Sequence, residues 1–252
     1  MKKMFGNRLS SDEPLLTIAT VTRNCATSIE ATLHSVAEVK SLDVEYVVVD
    51  GASTDGTLEE LRRSGNLIDQ MISEPDSGIY NAMNKAAALA RGKYVLFING
   101  DDVILPEGFT SVMRTLECCS AGIVCGWTLV GSVHKPAEVL VAKPWKLPFF
   151  NSIPHPSTFT SRALLRRYPF REDLRIASDY DFFLRCLLAG VRFISVGEPT
   201  ALHIRGGASA DIELSRDEVS RIRRERLGLC YPPAQAAIAL YRLVRRSATR
   251  DL

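Results

Sequence analysis

The sequence predicts an α/β protein with a mostly parallel central sheet that is covered by helices. Short, β-branched apolar runs alternate with helical patterns over the first hundred residues. Polar clusters follow several of these runs, as is typical of a sheet edge that carries a binding site. The 252 residues are also enough to enclose a substantial hydrophobic core.

Four strands are predicted in the first half, and the third is the weakest of them. They cover residues 15–21, 44–50, 70–74 and 93–99. The first of the intervening helices has Thr27 and Glu30 in the spacing of a capping box. The three helices cover residues 27–39, 53–63 and 78–92. This alternating order favours right-handed crossovers between parallel strands.

The second half is less regular. Strands are predicted over residues 121–130, 157–161 and 191–196. Residues 131–160 are rich in Pro and Lys and are otherwise expected to form a long loop region. Helices are predicted from Pro106, over residues 178–190, from Ser209 to about Leu227, and after Pro233. Ser178 is the expected cap of the helix over residues 178–190.

The C-terminal end is basic, although the net charge of the chain is only +2. Residues 221–252 hold eight arginines against Glu225 and Asp251. The predicted last helix separates an apolar arc from an arc of arginines, so it either lies on an anionic membrane surface or packs on the protein with its arginines in water. No pattern of base-stacking aromatic residues indicates a nucleic-acid partner.

Cysteine usage and the N-terminus predict a cytoplasmic protein. None of the six cysteines forms a CxxC pair or a spacing typical of zinc ligands. The basic N-terminus lacks the apolar region of a signal peptide, and no run of about 18 apolar residues predicts a membrane span. We therefore expect attachment to the inner face of the membrane to be peripheral, through the C-terminal helix.

Polar residues follow three of the predicted strands, at the edge where open α/β sheets bind their ligands. The clusters are Thr20–Asn24, Asp50–Asp55 and Asn99–Asp102. Thr20, Thr22 and Asp50 are candidates for holding a nucleotide base and ribose, because a carboxylate accepts hydrogen bonds from both. Asp55 lies among turn residues and is expected to cap the following helix.

Further candidates for phosphate contacts lie outside these clusters. Residues 73–86 form a polar turn that leads into a helix, whose first N–H groups can face an anion. Asp76 either contacts such a ligand or caps the helix, whereas Asn84 and Lys85 face either a diphosphate or solvent. Arg205, before two glycines, is either a phosphate ligand or a surface charge.

Asp101 and Asp102 are adjacent carboxylates at the end of a hydrophobic strand. A divalent cation would offset their repulsion, and Mg²⁺ or Mn²⁺ binds a few carboxylates together with substrate phosphates and water. An isolated acidic pair is usually a solvated turn. The strand-end position and the other two polar clusters favour the cation.

Asp179 and Asp181 fall in the first turn of a predicted helix. Either they stabilise the helix dipole or one of them is a general base on an acceptor hydroxyl. His155 and His203 are single histidines for which a structural and a functional role stay open.

Six stretches together identify a family. They are "TVTRN", "VVVDGASTDGTLE", "DSGIYNAMNKA", "GKYVLFINGDD", "HPSTF" and "SDYDFFLR", in that order. With them the chain, from about Leu15 to Ser209, resembles family 2 glycosyltransferases of the GT-A fold, a Rossmann-like nucleotide-binding fold. It is similar to the small bacterial enzymes of exopolysaccharide and glycolipid assembly, including those of the colanic-acid type.

The resemblance implies one glycosyltransferase domain over residues 15–205 and a basic helical tail over 206–252. Residues 15–105 would bind the nucleoside-diphosphate sugar, and residues 106–205 would bind a saccharide or lipid-linked acceptor.

It also implies roles for individual residues. Thr22 and Asp50 would hold the base, Asp102 the metal, and Asp101 the ribose or the same metal. Asp179, with Asp181 as the alternative, would be the base of an inverting transfer. Thr20, Asp76, Asn84, Lys85 and Arg205 complete the set of predicted nucleotide-sugar contacts.

Two other functions compete with this one. A sugar nucleotidyltransferase also uses an α/β nucleotide fold, but it would need a glycine-rich loop directly after the first strand, where "ATVTRNCA" contains no glycine. A sugar-nucleotide-binding protein without catalytic activity would have no need to keep both Asp101-Asp102 and Asp179.

Overall fold

The computed structural model describes residues 13–41, 43–132, 135–204 and 212–228. Its strands are β1 (Leu16–Thr22), β2 (Val44–Asp50), β3 (Gln70–Ser73), β4 (Tyr94–Phe97), β5 (Asp102–Ile104), β6 (Ile123–Ser132), β7 (Lys135–Val141), β8 (Thr158–Ser161) and β9 (Phe193–Ile204). Its helices are α1 (Ile29–Val39), α2 (Thr57–Arg63), α3 (Ile79–Leu89), α4 (Pro106–Cys118), α5 (Arg162–Arg167), α6 (Ser178–Leu188) and α7 (Ile212–Leu227).

The strands of the described chain form one sheet in the order β3-β2-β1-β4-β8-β6-β9-β5, with β7 paired to β6. The strands β1 to β4 are parallel to one another, as predicted. Beyond β4 the sheet is mixed, because β8 runs antiparallel to both β4 and β6, and β5 runs antiparallel to β9. The sheet is thus mostly parallel in its first half and mixed in its second.

Helices cover both faces of this sheet, and the alternation of side chains along β1 shows why. Every residue of β1 is buried. Ile18 packs in a hydrophobic cluster with α1 and α4, whereas Ala19 packs in a second cluster with α3 and α6. Because successive residues of a strand point to opposite faces, helices on both faces of the sheet bury the whole of β1, including its three threonines.

Two predicted helix caps do not form. Helix α1 begins at Ile29 without a side-chain cap, so the capping box of Thr27 and Glu30 is absent. Helix α6 begins at Ser178 itself, and the Ser178 hydroxyl accepts a hydrogen bond from the backbone N–H of Arg171 at 2.6 Å instead. At Ser178, a hydrogen bond from a neighbouring segment therefore replaces the predicted cap.

The prediction of a loop over residues 131–160 was wrong in its first part, where Lys135–Val141 form β7. Strand β7 pairs there with β6, from Lys135 opposite Ser132 to Val141 opposite Trp127. Strand β9 continues to Ile204, eight residues past the predicted end, since it pairs with both β6 and β5. These pairings join distant parts of the chain, which no local pattern announces.

Helix α7 packs on α6 instead of extending away from the domain. The Glu218 carboxylate accepts hydrogen bonds from the backbone N–H groups of Arg175, Ile176 and Ala177, at 2.6, 2.9 and 2.9 Å. Arg226 donates to Asp181 at 2.8 Å. Residues 212–228 therefore contact the predicted domain of residues 15–205. A separate tail that begins at residue 206 stays a prediction.

The predicted last helix and Arg205 lie outside the described residues. Within the described ranges, no helix combines the length and the apolar character that a membrane crossing requires.

We expect Glu218→Ala to lower the free energy of unfolding by about 3 kcal/mol or more, because it leaves three backbone N–H groups without their acceptor. Thermal or urea unfolding would measure the loss. Asp217→Ala, at an exposed position of the same helix, is the matched control and should change stability little. Equal stability of the two variants would show that α7 is not anchored to the domain.

Candidate active site

A cavity of about 740 Å³ opens at the carboxyl ends of β1 and β4. The polar residues that line it include six from five parts of the chain, namely Thr22, Asp76, Asn99, Asp101, Asp179 and His203. Two of the three predicted polar clusters thus reach the cavity. The carboxylates of Asp101 and Asp179, which are 78 positions apart in sequence, line the same space.

Thr20 and Asp50 do not reach the cavity, although the sequence predicts ligand contacts for both. Both side chains are fully buried. The Thr20 hydroxyl accepts a hydrogen bond from the Tyr46 hydroxyl at 3.0 Å. Asp50 accepts hydrogen bonds from the Ser53 N–H at 3.0 Å and the Ser73 hydroxyl at 2.6 Å. In this structure Asp50 therefore supports the loop after β2, and its side chain presents no surface to a ligand.

Hydrogen bonds also tie the loop after β1 to the loop after β2. The Asn24 side chain accepts from the Thr54 N–H at 2.9 Å, and the Asn24 N–H donates to Ser53 at 2.8 Å. Asp55 accepts from the Thr57 N–H at the start of α2 and from the Ala26 N–H, both at 3.0 Å, so its predicted role as a cap is confirmed. The rim of the cavity is therefore fixed by loop-to-loop contacts.

Two buried oxygen atoms at the cavity have no hydrogen-bond partner in the described part of the chain: Thr22 Oγ1 and Asn99 Oδ1. Gly100 lies between them, and a Cβ at that position would come within 2.7 Å of Thr22 Oγ1. A buried polar atom without a partner costs free energy, and such atoms cluster at binding sites. Thr22 and Asn99 both line the cavity, and their unpaired oxygen atoms make them candidate ligand contacts.

The two adjacent aspartates have different environments. Asp102 is fully buried and its Oδ1 lies 2.7 Å from Nδ1 of His203, whereas Asp101 is half-buried and lines the cavity. Burial and the charge of Asp102 raise the pKa of Asp101, and the hydrogen bond to Asp102 raises the pKa of His203. His203 was not selected from the sequence because its contact depends on the long-range pairing of β5 with β9.

Of the candidate ligand contacts in the polar turn over residues 73–86, the structure brings one to the cavity and not the others. Asp76 lines the cavity, and it accepts a hydrogen bond from the Gly78 N–H at 3.0 Å. Lys85 forms an ion pair with Glu74 at 2.7 Å. The Asn84 amide bonds to the backbone of Phe170 in both directions, at 2.9 Å. The structure thus does not bring Asn84 and Lys85 to the cavity, because structural contacts occupy both side chains.

Asp179 is the aspartate of α6 that faces the cavity. Its Oδ1 accepts from the Tyr180 N–H at 2.8 Å and lies 3.2 Å from the Tyr80 hydroxyl. The Tyr80 hydroxyl also donates to the Ile176 carbonyl at 2.6 Å. Burial and the charge of Asp179 raise the pKa of Tyr80, which keeps this phenol protonated.

Asp181 is fully buried away from the cavity. It pairs with Arg226 and Arg185, both at 2.8 Å, and lies 3.8 Å from Arg171. These ion pairs enclose the Asp181 carboxylate, so it cannot approach a substrate in the cavity. The geometry therefore favours Asp179 over Asp181 as the base.

Two further residues line the cavity, His155 and Arg175. The sequence left the role of His155 open and did not indicate Arg175. His155 stacks on Phe97 with ring centroids 5.5 Å apart, and burial lowers the pKa of its imidazole. Arg175 is exposed and lines the cavity; it lies four positions before Asp179, in the segment that leads into α6. Nothing in the local sequence distinguishes Arg175 from the other arginines, since its position depends on Glu218 holding the adjoining backbone.

The sheet is parallel in its first half, and Asp101 and Asp179 line one cavity at the carboxyl ends of its strands; this is the architecture of the GT-A fold. The model of the glycosyl transferase family 2 matches residues 17–172, and the chain belongs to this family.

Curated relatives agree with this assignment. A PGL/p-HBAD biosynthesis glycosyltransferase of Mycobacterium tuberculosis is 30% identical over 192 residues, which cover 69% of this chain and 70% of the relative. The chondroitin synthase of Pasteurella multocida is 28% identical over 182 residues, 68% of this chain. The matched region is only 19% of that synthase, so this chain corresponds to one part of it.

Solved structures share the fold. Residues 1–349 of TarS of S. aureus, in complex with UDP, superpose with a TM-score of 0.70 at 20% identity, over 90% of this chain and 70% of that TarS fragment. The mannosyltransferase PcManGT of Pyrobaculum calidifontis, in complex with GDP-Man and Mn²⁺, gives a TM-score of 0.60 at 21% identity, over 92% of this chain and 80% of that one.

We expect His203→Ala to lower the free energy of unfolding by about 1–3 kcal/mol, because it removes the hydrogen-bond partner of the buried Asp102 carboxylate. Thermal unfolding in EDTA would measure the change. His34→Ala, at an exposed position on α1, is the control. If His203→Ala were as stable as the control, the contact with Asp102 would not contribute to the fold.

Proposed function

We propose that this chain transfers a sugar, with inversion, from a nucleoside-diphosphate sugar to a hydroxyl group of a saccharide or lipid-linked acceptor. The observation that carries the proposal is the position of Asp101 and Asp179 on one cavity. A carboxylate at the rim can bind a divalent cation that also binds the diphosphate of a donor, and a second carboxylate on the same cavity suits a general base. Family membership supports this function over the alternative of a sugar nucleotidyltransferase.

The donor would bind on the rim side of the cavity. Thr22 Oγ1 and Asn99 Oδ1 offer polar atoms without partners there, and Asp76 lies on the same wall. A nucleoside provides the hydroxyl and N–H groups that such oxygens accept. TarS, which shares the fold, binds UDP and UDP-GlcNAc according to its structures, and PcManGT binds GDP-Man. These neighbours support a nucleotide-sugar donor.

A divalent cation, Mn²⁺ or Mg²⁺, fits the acidic pair. Asp101 faces the cavity with a pKa raised by burial and by Asp102, a combination that a cation would relieve. Among the described residues no three acidic, His or Cys side chains form a metal site on their own. Asp101 would therefore hold the cation together with diphosphate oxygens. Asp102, which is fully buried beside His203 and does not line the cavity, would have to turn toward it to become a second ligand. When bound, the cation supplies charge neutralisation for the departing diphosphate.

Asp179 would take the proton of the acceptor hydroxyl. Its Oδ1 accepts a hydrogen bond from the Tyr180 N–H at 2.8 Å, which orients the carboxylate at the cavity. As the acceptor oxygen bonds to the anomeric carbon, the bond from that carbon to the diphosphate breaks. The electron pair leaves with the nucleoside diphosphate, and the hydroxyl proton moves to Asp179. Fixed geometry between the two reactants accounts for a large part of the rate.

The acceptor pathway and the location are proposed from the relatives and the sequence. The mycobacterial relative is named for PGL biosynthesis, which supports a role in assembling cell-surface polysaccharides or glycolipids. We place the protein in the cytoplasm, with residues 229–252 as a candidate for peripheral contact with an anionic leaflet. Flotation with anionic liposomes, compared at low and high salt, would test the attachment, because salt screens the arginine contacts.

The first experiment is a screen of nucleoside-diphosphate sugars for donor turnover by the full chain. We expect one donor to be hydrolysed slowly in the absence of acceptor and faster in its presence. Donor binding without any turnover, with or without saccharide acceptors, would instead identify a sugar-nucleotide-binding protein.

We expect Asp179→Asn to lower turnover by roughly 10²-fold or more with little change in donor affinity, because it removes the proton acceptor. Asp181→Asn should keep turnover per folded molecule and lower stability, since it leaves three arginines without their carboxylate. Rate measurements at saturating donor, together with thermal unfolding, would separate the two. A reversed pattern would make Asp181 the base.

We expect EDTA to abolish turnover and Mn²⁺ or Mg²⁺ to restore it. Asp102→Asn should reduce turnover by roughly 10²-fold even at high metal concentration, because it weakens the charge stabilisation of the leaving group. Asp43→Asn is the control, because Asp43 is exposed and directly precedes β2, at the end of the strand opposite Asp50. A rate that is insensitive to EDTA would remove the cation from the mechanism.

A further inference from the structure

Exposed large hydrophobic side chains are concentrated next to the cavity. Of the six in the described chain, four lie between residues 139 and 145. They are Val139, Leu140, Val141 and Trp145, with exposed fractions of 50%, 37%, 36% and 68%. We call this set, with Lys143 and Lys146, the β7 surface. Exposed apolar strands that lie at a sheet edge favour association, so a surface of this kind indicates a partner.

The β7 surface is continuous with the candidate active site. Val139, Leu140, Val141 and Lys143 line the cavity that also contains Asp179. Strand β7 pairs with β6 and lies off the main path of the sheet, so it forms a wall on one side of the cavity. A molecule whose hydroxyl group reaches Asp179 can therefore leave the cavity across these apolar side chains.

The charge of the β7 surface indicates what kind of molecule would lie across it with its hydroxyl group at Asp179. Residues 139–150 contain Lys143 and Lys146 and no acidic residue. The Lys146 ammonium lies 5.0 Å from the centre of the Trp145 ring, so cationic and aromatic groups are presented together. Tryptophan beside lysine suits the boundary between an apolar chain and a polar head, where an indole buries its ring and keeps its N–H in water.

We propose that the β7 surface binds the apolar chain of an amphiphilic acceptor, whose anionic linkage lies against Lys143 and Lys146. This inference rests on the proposed glycosyl transfer and specifies its acceptor as a lipid with an anionic group between chain and sugar. A single chain fits better than a membrane leaflet, because a flat leaflet cannot enter the cavity that Val139, Leu140 and Val141 line.

Monomeric alkyl phosphates are suitable probes, since they combine a chain with an anion. Calorimetric titration of the full chain with inorganic phosphate, hexyl phosphate and decyl phosphate would measure the contribution of the chain. Affinity should rise with chain length, by up to about fourfold for each methylene group that becomes buried. Inorganic phosphate should bind weakest.

Variants localise the binding. Trp145→Ala should weaken decyl phosphate binding by roughly tenfold, in line with the loss of a buried aromatic contact, and Trp145→Phe should restore most of it. Leu188→Ala removes another exposed apolar side chain, 53% exposed at the end of α6 and outside the cavity lining, and should leave the affinity unchanged. Thermal unfolding of each variant would establish that it is folded.

Donor turnover in the absence of a lipid acceptor separates this inference from the proposed function. Leu188→Ala, outside the cavity lining, should hydrolyse donor at the rate of the unchanged protein. If neither hydrolyses any donor, the proposed function fails, and the role of the β7 surface in acceptor binding fails with it. If both hydrolyse donor but decyl phosphate binds no better than inorganic phosphate, only the β7 inference is overturned.

Other occupants give different results. Flotation with vesicles of phosphatidylcholine and phosphatidylglycerol that Trp145→Ala abolishes, without binding of monomeric decyl phosphate, would identify a leaflet and overturn the single-chain proposal. A dimer in sedimentation analysis that Trp145→Ala dissociates would identify a second copy of this chain and overturn it as well. Equal affinity of Trp145→Ala and Leu188→Ala for decyl phosphate would also contradict it.

Discussion

The buried contact between Asp102 and His203 connects the two halves of this protein at the edge of its candidate active site. Asp102 follows the first, parallel half of the sheet, and His203 lies near the end of β9, which returns from the second half. Pairing of β5 with β9 brings them together. Because a buried carboxylate needs a partner, this contact fixes the end of β9 beside the rim.

A second set of charges fixes the opposite wall of the cavity. Glu218 holds the backbone of residues 175–177 just before α6, and Asp181 anchors the same helix to Arg226. Asp179, between these anchors, lines the cavity. The helix α7 is thus a structural requirement for the position of the proposed base, although its sequence has the charged composition of a solvated helix.

The cavity combines a polar end and an apolar end. Thr22, Asn99 and Asp101 provide the polar end, where loops are tied to each other by hydrogen bonds. The apolar end is the β7 surface. A reaction between a nucleotide sugar and an amphiphilic acceptor requires this kind of division, because its two substrates differ in polarity and must meet only at the reacting atoms.

The sequence by itself determined the parallel half of the sheet, the acidic pair and the aspartates of α6. Apolar runs such as 44–50 and the helices between them are local signals, because β1, β2 and β4 are buried on both faces and each parallel connection must be long. Family motifs pointed to Asp101, Asp102 and Asp179. The basic charge of residues 221–226 was also visible in the sequence, but not that α7 would use it to anchor α6.

Only the tertiary structure decided which of these polar groups reach the cavity. Asp50, Asn84 and Lys85 have the residue types of ligand contacts, yet partners distant in sequence occupy them. Asp179 and Asp181 are indistinguishable by local pattern, and they separate because two positions along a helix point about 200° apart, one to the cavity and one to three arginines. Strand β7 and the end of β9 depend on pairing across the chain, and the free energy of such pairing is not carried by either segment alone.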